Sequence, residues 1–231
     1  MAESRRQASQ ARTCYICGVE APTTRDHVVP DNLFPEGLRI NLWTLPACRT
    51  CNDSLAPDEE LFRVFVAGQS DSNPIGRRVW QEEVRRTLAK QPRLRRMLAS
   101  QLQPVELRTR AGLFAGRGYK LPVEIQRVTP VIHKVIRGLY CRERGEPLRS
   151  VEFEVYFNPE ETQIDLLKNA MRVALNPPVF RAAWVESTDD ARCRIWWLAF
   201  YETVLFVCTT WPTDLENPPN QLVSEPNTVS A

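Results

Sequence analysis

TCYICGVEAPTTRDHVVP, residues 13–30, carries the pair Cys14 and Cys17 and, soon after it, His27, one of only two histidines in the chain. A second pair, Cys48 and Cys51, follows in ACRTCN, residues 47–52. Two Cys-x-x-Cys pairs separated by a loop suit a tetrahedral zinc ion, because each short turn chelates through two thiolates. A site made of four cysteines is closed, so such an ion holds the fold and takes no substrate. The competing reading is a redox or incidental set of thiols. Thirty residues lie between Cys17 and Cys48, more than a minimal zinc ribbon needs, and that insert contains Asp26 and His27.

In order along the chain, CYIC, DHVVP, the Asn-Leu at Asn41 and CRTCN resemble the HNH endonucleases, the ββα-metal nucleases, in the version stapled by a four-cysteine zinc. The resemblance covers Cys14 to about Asn52, about a fifth of the chain. It implies a ββα module with His27 as general base and Asp26 and Asn52 as ligands of a catalytic Mg2+ or Mn2+. Asn41 then matches the central asparagine that orients the base and its loop, with Asn32 as a substitute. The implied reaction is hydrolysis of a phosphodiester, with DNA favoured over RNA by resemblance, leaving a 5′ phosphate and a 3′ hydroxyl. The residue types suit that chemistry. Neutral imidazole takes a proton from water near physiological pH, and hard oxygen donors suit Mg2+ or Mn2+ rather than zinc. Two departures stand out. Pro46 and Ala47 lengthen the gap before Cys48, and Leu55 occupies a position that is basic in many members, which passes phosphate contact to Arg25, Arg49 or arginines downstream.

Strand geometry imposes one condition. Neighbouring residues on a strand point to opposite faces, so Asp26 and His27 share a target only if the strand twists or ends there. Pro30, just beyond, agrees with an ended strand. The acidic residues Asp53, Asp58, Glu59 and Glu60 are expected to favour a helix N-terminus, with assistance to metal binding as the alternative.

Net charge is +2, but it is unevenly spread. Residues 1–60 hold six basic and nine acidic side chains, residues 61–150 nineteen and seven, and residues 151–231 five and twelve. So basic a middle third points to a polyanion, with nucleic acid first among the candidates. Arg77, Arg78, Arg85, Arg86, Arg93, Arg95 and Arg96 are the candidates to track a phosphate backbone; a merely solvated arginine face is the alternative. The first dozen residues lack an apolar signal core, and the longest apolar stretch, Trp196 to Cys208, contains Glu202 and is too short to cross a bilayer. A soluble, cytoplasmic protein with no membrane partner is expected, since zinc needs reduced thiolates.

The expected fold class is α+β: a zinc-stapled ββα module followed by a larger mixed domain. The expected divisions are an arm at 1–12, the module at 13–60, a basic α+β domain at 61–211 and a polar tail at 212–231. Helices are expected over residues 56–68, over 77–102 with a break at Pro92, over 124–146 interrupted at Pro130, and over 162–175. Strands are expected near 105–110, 118–123 and 150–157, then in a meander from 179 to 211. HKVIRGLYCRERGEPL, residues 133–148, resembles a segment of uncharacterised bacterial proteins with an N-terminal HNH module. His133 is expected to be structural or a surface residue, and the tryptophans at helical or strand spacing to serve packing. The rival to an enzyme is a non-catalytic zinc module that binds nucleic acid or protein.

Overall fold

Helix α1 (Arg49–Gly68) starts directly after Cys48, whose sulfur accepts the Cys51 N–H and caps the helix. Its first turns pack on a hairpin, β1 (Thr24–His27) antiparallel to β2 (Thr44–Ala47), with Asp26 opposite Leu45 and His27 opposite Thr44. Its last turns, Leu61 to Ala67, are buried against the main sheet. There Phe62 meets Phe200 and Phe206 at ring-centroid distances of 5.1 and 5.8 Å. The computed structural model describes residues 13–70, 72–109, 111–122, 124–157 and 170–214 of this mixed α+β chain.

The division expected after residue 60 therefore falls inside a continuous helix. Tyr15, Val28 and Leu33 of the N-terminal part belong to the same hydrophobic core as Trp196, Phe200 and Phe206. The helix also begins seven residues before the expected Ala56, because a cysteine sulfur does the capping that Pro57 and its acidic neighbours suggested. Pro57 sits inside the helix, where it removes one backbone hydrogen bond without ending it.

Five antiparallel strands form the main sheet: β5 (Val151–Phe157), β6 (Met171–Leu175), β7 (Phe180–Glu186), β8 (Arg194–Phe200) and β9 (Val204–Pro212), in the order β5-β9-β8-β7-β6. The expected meander is present. Met171 to Leu175, expected as the end of a helix, instead pair along their whole length with β7, and this strand pairing overrides local periodicity. Residues 162–169 of that expected helix lie outside the described residues, as do the arm at 1–12 and the tail beyond Asp214. Trp184, Trp196 and Trp197 are buried in the sheet.

Pro92 separates two helical runs as expected. Before it come α2 (Pro74–Arg78), a π-helical turn (Val79–Val84) and α3 (Arg85–Lys90); after it comes α4 (Pro92–Gln101). The π turn buries Val79 and Val84, and Trp80 lies against Gly68 of α1. A second hairpin, β3 (Gln103–Arg108) with β4 (Phe114–Lys120), begins a few residues earlier than expected in each strand.

Helix α5 (Ile125–Arg144) packs along α1 and ends at Gly145, whose φ of 82° is left-handed. Pro130 does not interrupt it. One lost bond near the start of a helix is offset by the buried row Val128, Val131, Ile132, Val135, Ile136 and Leu139. Gly138 lets α5 approach β1: a Cβ there would lie 2.5 Å from Cγ1 of Val28. Among the described residues no helix is long and apolar enough to cross a membrane.

Substituting Gly138→Ala should destabilise the protein by about 1–3 kcal/mol, the usual cost of overpacking a filled core. Adding Val28→Ala should recover most of that loss in urea unfolding. An unchanged midpoint for Gly138→Ala alone would mean that α5 and β1 are not held this closely.

Candidate metal centre and the Asp26–His27 site

The sulfurs of Cys14, Cys17, Cys48 and Cys51 lie within 4.8 Å of one another, a cluster that can hold a metal ion such as zinc. Backbone N–H groups of Ile16 and Cys51 point at Cys14 and Cys48, each at 3.4 Å. Burial raises the Cys17 thiol, but the N–H groups of Glu20 and Val19 and the neighbouring thiols outweigh it and bring the group down to about 7. Burial pushes the Cys51 thiol up, and its neighbours Cys48, Cys14 and Cys17 push it further. Four crowded sulfurs resist ionising together, and a divalent cation removes that resistance by binding them as thiolates. Cys141 and Cys208 are buried singly and Cys193 is half-buried.

This cluster sets the ends of the hairpin and helix that carry the other candidates. Asn52, on the first turns of α1, donates from Nδ2 to Oγ1 of Thr24 at 3.2 Å, two residues before Asp26. The two motif halves thus meet in space. His27 is the last residue of β1 and is half-buried, while Asp26 is buried at 6% exposure on the other face. Val28, Val29 and Pro30 are buried in succession, so the strand alternation stops directly after His27, but Asp26 and His27 themselves still lie on opposite faces of β1.

Each oxygen of the Asp26 carboxylate has one partner. Its Oδ2 accepts the Tyr15 hydroxyl at 2.7 Å, and its Oδ1 accepts Nζ of Lys134, on α5, at 2.8 Å. The same ammonium pairs with Glu59 of α1, and the Lys134 side chain is 1% exposed. Burial raises the Glu59 carboxyl above its ordinary value against the pull of Lys134. Burial, then the Asp26 charge, raise the Tyr15 hydroxyl well above its own. Asp58 pairs with Arg127 at 2.8 Å and Glu60 with Arg63 at 2.5 Å. Because α1 starts at Arg49, these acids stand in mid-helix and serve as ion-pair partners, not as residues of its N-terminus.

Asn41 is exposed in the loop between β1 and β2, with a left-handed φ of 57° that asparagine tolerates better than most residues. That loop is fixed from outside: Asn176, between β6 and β7, donates to the carbonyls of Leu38 and Ile40, and Arg39 pairs with Glu83. Asn32 donates to the Glu59 carbonyl, while its buried Oδ1 has no partner. Arg25 is bound to Thr44, Arg49 is exposed, and Leu55 is half-buried.

The donor set around Asp26 and Asn52 fits a hard divalent ion in type. It offers a carboxylate and an amide oxygen, and a carboxylate holds about four lone-pair sites, of which Tyr15 and Lys134 use two. The ammonium at Asp26 is a competing positive charge.

Arg77, Arg78, Arg85, Arg86, Arg93, Arg95 and Arg96 are all exposed along α2 to α4. Arg78 pairs with Glu82, and Arg86 and Arg96 also bond backbone carbonyls one turn back. Trp80 is half-buried between α1 and this helical run, so it packs. His133 is stacked on Phe153, and burial pulls its imidazole down to about 4. Sequence reasoning missed Tyr15 and Lys134 as partners of Asp26, and Glu59 as the second partner of Lys134. The signal for Lys134 was present: it is the one charged residue in VIHKVI, residues 131–136, between apolar positions at helical spacing.

The arrangement is that of a β-hairpin and helix stapled by four cysteines and built into a larger α+β body. No protein-family model, curated protein or solved structure matches the chain.

Replacing Lys134→Met should cost about 3–5 kcal/mol, because it leaves the buried Asp26 and the half-buried Glu59 without their cation. Chemical denaturation of the metal-loaded protein measures it. A loss below about 1 kcal/mol would show that the network is open to water.

Proposed function

We propose that the N-terminal part is a metal-dependent HNH-type endonuclease that hydrolyses phosphodiester bonds in nucleic acid, DNA first among the candidates. The observation that carries the reading is the meeting of the motif's separated halves. Asp26 and His27 end the first strand of a hairpin, and Asn52 follows the last cysteine onto the helix packed against it. Zinc is the ion proposed for the four cysteines, where it pins β2 and α1 to the first knuckle. Reduced thiolates accord with a cytoplasmic setting.

In this reading His27, half-exposed at the end of β1, accepts the proton of the attacking water through its neutral imidazole. Asn41 and the loop fixed by Asn176 keep that strand end in place. Asp26 and Asn52 would hold Mg2+ or Mn2+, which relieves charge on the phosphate and on the departing 3′ oxygen. The arginines of α2 to α4 supply a positive surface for the backbone.

One observation favours a second reading. Lys134 already neutralises Asp26 inside the protein, as it would in a zinc-stapled binding module whose site is idle.

Supercoiled plasmid with Mg2+ or Mn2+ separates the two. The parent should nick or linearise it, and His27→Ala, with its zinc content unchanged, should be slower by about 10²–10⁴, the usual contribution of a general base. Equal cleavage by both proteins would remove His27 from the chemistry. Retarded but uncut plasmid would leave the binding module.

A further inference from the structure

We propose that the β3–β4 hairpin is a DNA-gripping ribbon that lies in the major groove of duplex DNA. This extends the nucleic-acid reading above but does not depend on cleavage.

Among the described residues the hairpin pairs with no other strand, and nearly every residue of both its strands is exposed. A two-stranded sheet with neither face packed is marginal in water. Of the nine large apolar side chains exposed among the described residues, six fall between Leu102 and Ile125. Phe114 and Tyr119 are 60% and 73% exposed. Such a concentration marks a surface made for contact.

Charge decides which contact. Register places Arg117 opposite Glu106 and Tyr119 opposite Pro104, and an irregularity between Leu107 and Arg108 brings Phe114 opposite Arg108. Lys120 closes the second strand. Glu106 pairs with Arg108 at 3.0 Å, and Arg117 and Lys120 leave the ribbon with a net positive charge. It also continues an existing basic surface. Helix α4, with Arg93, Arg95 and Arg96, runs through Leu102 into β3, and Arg95, Tyr119 and Lys120 border one cavity of about 760 Å³. An acidic or apolar partner would meet one half of this surface and be wasted on the other. Duplex DNA meets both: phosphates take the arginines, while aromatic and aliphatic side chains meet base edges and thymine methyls. Size agrees, since the major groove admits a two-stranded ribbon and strands of this length reach about 20 Å.

The test uses the full chain carrying His27→Ala, so that duplex survives, and a fluorescent 24-base-pair duplex read by anisotropy across a salt series. Arg117→Ala with Lys120→Ala should weaken binding at least about tenfold and flatten the salt dependence by about two, near 0.9 per lost phosphate contact. Phe114→Ser with Tyr119→Ser should weaken binding with the salt slope kept. Both variants should retain the parent's bound metal and thermal midpoint, since their side chains are outside the core.

Parental affinity and slope in both variants would overturn the proposal, as would failure of the parent to bind duplex at all. So would a change of oligomeric state in sedimentation with duplex affinity intact, which would make the hairpin a self-association surface. A plasmid-cleaving parent whose hairpin variants bind normally would sink the ribbon and spare the nuclease. A parent that never cleaves, with variants that bind weakly, would do the reverse.

Discussion

An ammonium group enclosed by two carboxylates joins the segments on which this structure depends. Lys134 reaches from α5 to Asp26 on β1 and Glu59 on α1, and Asp26 in turn takes the Tyr15 hydroxyl from the first knuckle. Removing charges from water is expensive, and attraction compensates only when geometry satisfies each group. The network therefore does less to add stability than to allow one arrangement of knuckle, strand and two helices. Gly138, one turn beyond Lys134, lets α5 come close enough to Val28 for that contact.

The same network creates the tension at the candidate site. A nuclease reading needs Asp26 to turn an oxygen toward an ion, whereas the fold uses it as an internal anchor. His27 is under no such demand: it stands at the end of its strand, half-exposed and on the opposite face. Helix α1 ties this site to the rest, because its first turns carry Cys51 and Asn52 and its last turns fill the core of the main sheet. The N-terminal unit is thus a corner of the larger fold. Asn176 and Arg39 tie its loop down from the other side.

Electrostatics divide the surface in a complementary way. Acidic side chains concentrate near the candidate site, where several are used up in ion pairs with Arg63, Arg127 and Lys134. The arginines of α2 to α4 and the β3–β4 hairpin remain directed at solvent. In the reading proposed above, affinity for a polyanion would belong to the middle of the chain and chemistry to its N-terminus.

Spacing alone made the cysteine cluster legible, because two short chelating turns leave few other uses for four thiols. Hydrophobic alternation likewise announced β5 and the meander of β7 to β9, and Pro92 announced the break between α3 and α4, since these are local effects of side-chain direction and a missing N–H. Other features were settled only when distant segments met. Met171 to Leu175 became a strand because β7 offered them a full ladder. Pro57 and Pro130 stayed inside helices because a sulfur cap and a buried apolar row outweighed one lost bond. The sequence by itself determined which residues could bind metal or move a proton. Tertiary structure decided that Asp26 would be held by a lysine more than a hundred residues away, because the balance between burying a charge and pairing it depends on which groups the fold brings within hydrogen-bond reach.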